Sequence, residues 1–98
     1  MTYRVLLRKE AQDDLSDAAV WYEEQRRGLG GEFLDEAAFT LSRVGSTPFA
    51  YADVHRGVLR ALLRRFPFAL YFRVESEVVS VLAVMHGSRS PTAWQVRT

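Results

Sequence analysis

The sequence predicts an α+β fold in which a helical hairpin packs on one face of a mostly antiparallel sheet, in the order β-α-α-β-β-β. Two periodicities predict it: apolar residues recur every three or four positions through much of the first half, whereas the second half holds three short segments rich in Val, Leu, Phe and Tyr. A helical hairpin has to bury its apolar stripe, and one face of a sheet is the only surface large enough. All 98 residues are expected to form a single domain.

The first half reads as one strand and two helices. Residues Thr2 to Arg8 mix alternating and continuous apolar character, which fits a short strand. From Lys9 to Arg27 the apolar residues follow a helical period, and they are Ala11, Leu15, Ala18, Ala19 and Tyr22. The glycine-rich stretch from Gly28 to Gly31 predicts a tight connection. A second helix is then expected to run to about Gly45, so the two helices form a hairpin.

The second half reads as a loop, three strands and a final turn. The segment from Pro48 to Gly57 predicts a loop. The predicted strands span about Val58 to Arg65, Phe68 to Val74 and Val78 to Met85. Their connections are short, so neighbours are antiparallel, and the first strand is expected to join this sheet. Ser90 and Pro91 favour the start of a short helical turn that ends in Trp94.

Composition excludes several classes of function. The chain has no cysteine and only two histidines, so we expect neither a metal site nor a cofactor, and a reducing cytoplasm is the default location. No run of about 18 apolar residues predicts a membrane span. Charge is uneven: residues 1–50 hold 6 basic and 9 acidic side chains, and residues 51–98 hold 7 basic and 3 acidic ones. The acidic pairs of the first helix, Asp13/Asp14 and Glu23/Glu24, are interpreted as a solvated face.

Arginines of the second half are candidate binding residues. If one strand spans Arg60 to Arg65, then Arg60 and Arg64 share a face with Leu62 between them, while Arg65 points away. A face that mixes arginine with apolar groups suits contact with protein or nucleic acid. The alternative is that these arginines are ordinary solvated surface residues.

His86 and Arg89, at the end of the last predicted strand, form a second candidate cluster. A histidine there can act as a general acid or base, and an arginine can hold a phosphate. The alternative, which we favour, is a histidine that closes a strand by hydrogen bonding. Trp94 is interpreted as a plug over the sheet, with stacking on a base as the alternative. Trp21 and Tyr22 are expected to line a groove or the core.

Several segments together resemble one family. They are Ala11-Gln-Asp-Asp-Leu15, Trp21-Tyr22-Glu-Glu-Gln25, Gly28-Leu-Gly30, Phe33-Leu34, Pro48, Arg64-Arg65-Phe66-Pro67, Tyr71, His86-Gly-Ser-Arg89-Ser-Pro91, Trp94 and Arg97. Their order and spacing over nearly the whole chain resemble the ParE branch of the RelE/ParE toxins. The resemblance implies a β-α-α-β-β-β layout and a toxin of a type II toxin–antitoxin system, neutralised by direct binding of a ParD-like antitoxin.

The resemblance leaves two targets open. ParE-type toxins are held to inhibit DNA gyrase, which requires a binding surface and no catalysis; the residues expected to contact a target are Arg60, Arg64, Arg73, His86, Arg89 and Trp94. RelE-type toxins cut messenger RNA on the ribosome, and for that chemistry the candidates are His86, Arg64, Arg60 and Arg89. The ParE reading is favoured, since the lysine-rich set of RelE is absent and Lys9 is the only lysine. A DNA-binding module is a third alternative, disfavoured because no helix has a basic face; DNA is expected to be bound only through the antitoxin.

An apolar outer sheet face near Leu62 is expected to be covered by an amphipathic antitoxin helix, with acidic antitoxin residues opposite Arg60, Arg64 and Arg73. The residues expected to contact the antitoxin are Trp21, Tyr22, Leu62, Arg60 and Arg64. No contact with a membrane is expected.

Overall fold

The computed structural model describes residues 2–98, which form five strands, three α-helices and one turn of 3-10 helix. In chain order these are β1 Arg4–Leu7, α1 Lys9–Gln25, α2 Leu29–Ser46, the 3-10 turn Pro48–Ala50, β2 Ala52–His55, β3 Val58–Leu62, β4 Phe68–Glu75, β5 Val78–His86 and α3 Thr92–Gln95. The predicted order is therefore confirmed, with one strand added before the meander.

The five strands form a single sheet in the order β1-β5-β4-β3-β2. The pairs β2–β3, β3–β4 and β4–β5 are antiparallel, as their short connections require. The first strand joins the sheet at the opposite edge, where β1 runs parallel to β5 with Arg4 opposite Val78. The helical hairpin is the crossover that makes this parallel pairing possible.

The hairpin buries its apolar stripe on one face of the sheet. The buried residues of α1 are small, Ala11 and Ala18, and α2 contributes Phe33 and Val44. These side chains pack against Leu70 and the inward residues of the three central strands. The helical period of the first half therefore predicted both the helices and the face that they bury.

The start of α2 differs from the prediction. A connection was expected through Gly31, but α2 already begins at Leu29 and includes two of the glycines. Gly30 is required there because a Cβ atom would lie 2.5 Å from the carbonyl oxygen of Ala19 on α1. The Glu23 carboxylate accepts hydrogen bonds from the backbone N–H groups of Gly28 at 2.9 Å and Gly30 at 3.0 Å. Glu23 therefore caps α2 while its side chain stays exposed, so its interpretation as a solvated residue holds but omitted this structural role.

Two further boundaries differ in the second half. The segment predicted as a loop contains β2, a four-residue edge strand in which only Val54 belongs to the residue types that favour strands. Strand β3 ends at Leu62, three residues earlier than predicted. Arg64 and Arg65 therefore lie in the β3–β4 turn, and the inference that Arg60 and Arg64 share a strand face was wrong.

The other face of the sheet has a smaller apolar cluster, covered by the last helix. The Trp94 ring stacks on the Tyr71 ring with centroids 4.5 Å apart, and His55 packs edge-on against Trp94 at 5.9 Å. Only 5% of Trp94 is exposed, which confirms its interpretation as a plug. The short helical turn was also predicted, and its Thr92 N–H lies 3.4 Å from the Ser90 hydroxyl oxygen.

No helix between residues 2 and 98 is both long enough and apolar enough to cross a membrane.

Candidate functional site

An ion pair closes the edge of β5 beyond the end of β1. The register between β4 and β5 shifts at Leu82, which has no paired residue on β4. Strand β5 therefore has a β-bulge at Leu82. Arg97 donates to the Leu82 carbonyl oxygen at 3.1 Å, and the Asp14 carboxylate accepts from the Val84 N–H at 2.9 Å. Arg97 and Asp14 also bind one another, at 2.6 Å and 3.2 Å. The Asp14–Arg97 pair thus supplies hydrogen-bond partners to two backbone groups of β5, those of Leu82 and Val84, that no neighbouring strand reaches.

The burial of Asp14 corrects its interpretation as part of a solvated acidic face. Its side chain is 17% exposed and that of Arg97 is 22% exposed, whereas the neighbouring Asp13 is 58% exposed and pairs with Lys9. Spacing along α1 could not reveal this difference, because the partner of Asp14 lies at the other end of the chain. Arg97 was among the residues that carry the family resemblance, but the resemblance assigned it no role.

His86 lies at one end of a cleft beside this pair, with a volume of about 270 Å³. The cleft is lined by Asp14, Asp17, Ala18, Phe68, Val84, Met85, His86 and Arg89. The His86 Nδ1 atom accepts a hydrogen bond from the Ser88 N–H at 3.0 Å, and the Ser88 hydroxyl lies 2.7 Å from the same nitrogen. A neutral ring therefore has its proton on Nε2. These bonds support the interpretation of His86 as a residue that closes the strand.

A second concave surface, which we call the α2–β3 groove, lies between α2 and the outer strands. It is lined by Glu36, Phe39, Thr40, Arg43, Tyr51, Leu62 and Arg64. The Phe39 ring in it is 59% exposed; Leu62 contributes to its rim, but the register of β3 directs the Leu62 side chain, 63% exposed, to the other face of the sheet. The Arg43 guanidinium lies 5.9 Å from the centre of the Phe39 ring. The groove thus combines exposed apolar surface with two cations, as interfaces do.

The two arginines of the β3–β4 turn have different surroundings. Arg65 forms an ion pair with Glu32 on α2 at 2.8 Å, and Glu32 also pairs with Arg26 at 3.2 Å. The hydrogen bond from Arg65, followed by that from Arg26, lowers the pKa of Glu32 below its ordinary value. The same bond to Glu32 raises the pKa of Arg65. In the part of the chain that the structure describes, the Arg64 guanidinium has no such partner.

The predicted arginines do not converge on His86. Arg60 lies exposed on β3 opposite Tyr71, on the face away from the hairpin. Arg73 donates to the carbonyl oxygen of Arg56 at 3.1 Å, near the far end of β4. Arg64 lines the α2–β3 groove instead. Of the predicted arginines only Arg89 lines the His86 cleft, whose other charged residues are Asp14 and Asp17.

The two aromatic residues predicted on α1 have different environments. The Tyr22 ring packs against Phe33 at 5.3 Å and Phe66 at 4.8 Å, and burial raises the pKa of its hydroxyl. Trp21 packs edge-on against Tyr22 at 5.1 Å and remains about half exposed. Tyr22 therefore belongs mainly to the core, whereas Trp21 is available to a partner.

Comparison with known proteins agrees with this architecture. The family model described as the ParE toxin of the type II toxin-antitoxin system parDE matches residues 5–91. The chain is 29% identical over 97 residues to Toxin ParE2 of Mycobacterium tuberculosis, covering 95% of this chain and 90% of that protein.

Two solved structures share the fold. One is the chromosomal ParDE TA system from P. aeruginosa, with a TM-score of 0.78, 17% identity, and coverage of 87% of this chain and 96% of that one. The other is the toxin-antitoxin complex RelBE2 from Mycobacterium tuberculosis, with a TM-score of 0.61, 18% identity, and coverage of 88% and 99%. The match over residues 5–91 decides the family. The chain belongs to the ParE toxins of type II toxin–antitoxin systems, within the RelE/ParE superfamily.

Proposed function

We propose that this ParE-family toxin inhibits DNA gyrase by binding it, without catalysis, and that a ParD-like antitoxin neutralises it by direct binding. The observation that supports this most is the distribution of its arginines. Arg60, Arg64 and Arg89 are exposed at separate places on the surface, and their guanidinium groups have no hydrogen-bonded partner within residues 2–98. Such a distribution suits a broad contact surface better than a single catalytic centre.

Cleavage of RNA is less well supported by the same geometry. Attack by a 2′-hydroxyl needs a base, an acid for the leaving oxygen, and cations around the phosphate. His86 has one ring nitrogen engaged by Ser88, and the Asp17 carboxylate in its cleft opposes the approach of a phosphate, while the charge of Asp14 is compensated by Arg97. Arg89 is the one predicted cation there.

A ribosome-dependent mRNA interferase remains the second candidate because His86 and Arg89 do line one cleft. In that case His86 would donate a proton through Nε2 and Arg89 would bind the phosphate. The fold likeness to the RelBE2 complex is compatible with either activity, since one fold can serve unrelated functions.

The antitoxin is proposed to cover the α2–β3 groove. Both structural relatives are described as toxin–antitoxin systems or complexes. The exposed Phe39 side chain favours an apolar residue of the partner, and Arg43 and Arg64 favour acidic residues on either side. The proposed antitoxin segment is therefore amphipathic and acidic. Operator DNA would be bound through the antitoxin.

Two assays in parallel test the proposed target. The toxin, purified free of antitoxin, is added to gyrase acting on relaxed plasmid, and separately to ribosomes translating a defined message with primer extension to detect cuts. We expect loss of supercoiling with an intact message. Ribosome-dependent cuts that disappear in His86→Ala, with normal supercoiling, would establish the alternative.

A further inference from the structure

The β3–β4 turn holds two consecutive arginines, of which only Arg65 forms an ion pair within residues 2–98. The Arg65 guanidinium is bound by Glu32 and lies 5.4 Å from the centre of the Phe66 ring. The Arg64 side chain lies beside Phe39, in the α2–β3 groove and in the adjoining concave surface. The turn therefore presents one free positive charge, and that charge belongs to Arg64.

The backbone of this turn is fixed by Glu36 on α2. Its carboxylate accepts a hydrogen bond from the Arg64 N–H and another from the Arg65 N–H at 3.1 Å. Two successive N–H groups directed at one carboxylate fix the orientation of both peptide planes, and the ionised acceptor makes both bonds strong. Since the peptide planes fix the Cα–Cβ directions, Glu36 also determines which way Arg64 leaves the chain.

We propose that Glu36 is a positioning residue that holds Arg64 over the α2–β3 groove, where its guanidinium binds a carboxylate of the antitoxin. The partner named here rests on the proposed function. Phe39, which lines the same groove and is mostly exposed, supplies the apolar surface beside this carboxylate site. A turn that is already ordered loses less conformational freedom on binding, so anchoring by Glu36 increases the affinity that Arg64 provides.

A double-mutant cycle on antitoxin binding tests this role. The dissociation constant of the full-length cognate antitoxin is measured for the wild type, Glu36→Gln, Arg64→Ala and the double variant. We expect Arg64→Ala to weaken binding by about tenfold and Glu36→Gln by roughly threefold, since the amide keeps one acceptor oxygen but loses the charge. The double variant is expected to bind no more weakly than Arg64→Ala. Arg65→Ala is the matched control, and we expect it to leave binding unchanged within about twofold.

Salt dependence separates positioning from a general loss of structure. Affinity of the wild type is expected to fall with ionic strength, and both Arg64→Ala and Glu36→Gln should flatten that dependence. Glu36→Asp, which keeps the charge, is the second variant if Glu36→Gln fails to fold. Additive effects in the cycle, or wild-type affinity for every Glu36 variant, would overturn the proposal. Inhibition of gyrase supercoiling by the wild-type toxin is measured in a separate assay. A wrong target and a wrong role for Glu36 therefore give different results.

Discussion

The β5 edge and the α2–β3 groove use charged side chains in opposite ways. At the β5 edge, Asp14 and Arg97 bind each other and two backbone groups, and both side chains are mostly buried. In the groove, Arg64 is held by its backbone alone, and its guanidinium stands beside the exposed Phe39. The first arrangement stabilises the fold, whereas the second leaves a charge and an apolar surface for a partner.

This difference shows that the type of residue does not reveal its use. Arg97 and Arg64 both lie in the electropositive second half of the chain. The Arg97 guanidinium binds the Asp14 carboxylate, whereas the Arg64 guanidinium has no carboxylate partner within residues 2–98. What separates them is whether a carboxylate lies within reach of the guanidinium. Variants at each region should therefore change different quantities: the free energy of unfolding at the β5 edge, and affinity for a partner at the groove.

The largest effect is expected at the β5 edge. Asp14→Ala leaves the Val84 N–H without its acceptor and Arg97 without its partner, so we expect a loss of about 3 kcal/mol in the free energy of unfolding. Asp13→Ala is the matched control on the same helix; its carboxylate forms only an exposed pair with Lys9, and a change of about 0.5 kcal/mol or less is expected. Urea denaturation measures both. Equal losses of unfolding free energy for Asp14→Ala and Asp13→Ala would contradict a special stabilising role of the β5 edge.

The position of α2, which forms one wall of the groove, is predicted to depend on Gly30. Gly30→Ala places a methyl group against the Ala19 carbonyl oxygen, so we expect a loss of roughly 2 kcal/mol in the free energy of unfolding. Gly31→Ala provides the control, because a Cβ atom there meets nothing within 4 Å. That variant is expected to gain up to about 0.5 kcal/mol from helix propensity. Thermal unfolding of both proteins is the measurement, and a Gly30→Ala variant as stable as Gly31→Ala would contradict the close approach.

A truncation in the groove should spare stability and weaken binding. The Phe39 ring is mostly exposed, so we expect Phe39→Ala to change the free energy of unfolding by about 0.5 kcal/mol or less. Antitoxin affinity is expected to fall by about tenfold, because the ring is proposed to contact the partner. Phe49→Ala is a suitable control, since Phe49 is equally exposed but does not line the groove. A loss of affinity shared by both variants would refute a specific site.

The smallest effect is expected from Glu32, whose contribution to stability depends on pH. The pKa of Glu32 is lowered in the folded protein, first by Arg65 and then by Arg26, so its ion pairs stabilise the fold above the unfolded value of about 4.5. That contribution is lost as the pH falls through the lower, folded pKa. The Tm difference between the wild type and Glu32→Gln should therefore be present at roughly pH 6 and shrink toward pH 3. A difference that grows on acidification would mean that the pKa shift has the opposite sign.

Much of the fold was predictable because it depends on local patterns. The spacing of Ala11, Ala18, Phe33 and Val44 identified both helices and their buried face. Short connections identified the antiparallel meander. Strand β2 was missed because it has only four residues, of which Val54 alone belongs to the types that favour strands. The parallel pairing of β1 with β5 was not specified either, since it joins residues at opposite ends of the chain.

The candidate site was less predictable because its contacts are non-local. His86, Arg64 and Leu62 were named from the sequence, but their division between a cleft and a groove depends on where β3 ends. Asp14 was named only as part of a solvated acidic pair, and Glu36 was not named. Asp14 binds Arg97, and Glu36 binds the backbone of the β3–β4 turn, and neither partner has a fixed spacing from its carboxylate.

The closure of the β5 edge also sets an order in time during synthesis. Arg8 donates a hydrogen bond to the Arg97 carbonyl oxygen, so the end of β1 and the C-terminal segment meet beside one strand. A ribosome makes the groove residues from Glu36 to Arg64 well before it makes Arg97. Contacts between residues so far apart in the chain form late and slowly. The helical hairpin and β3 therefore leave the ribosome first. The contacts of Arg97 with Asp14 and β5 can form only after Arg97 has been synthesised.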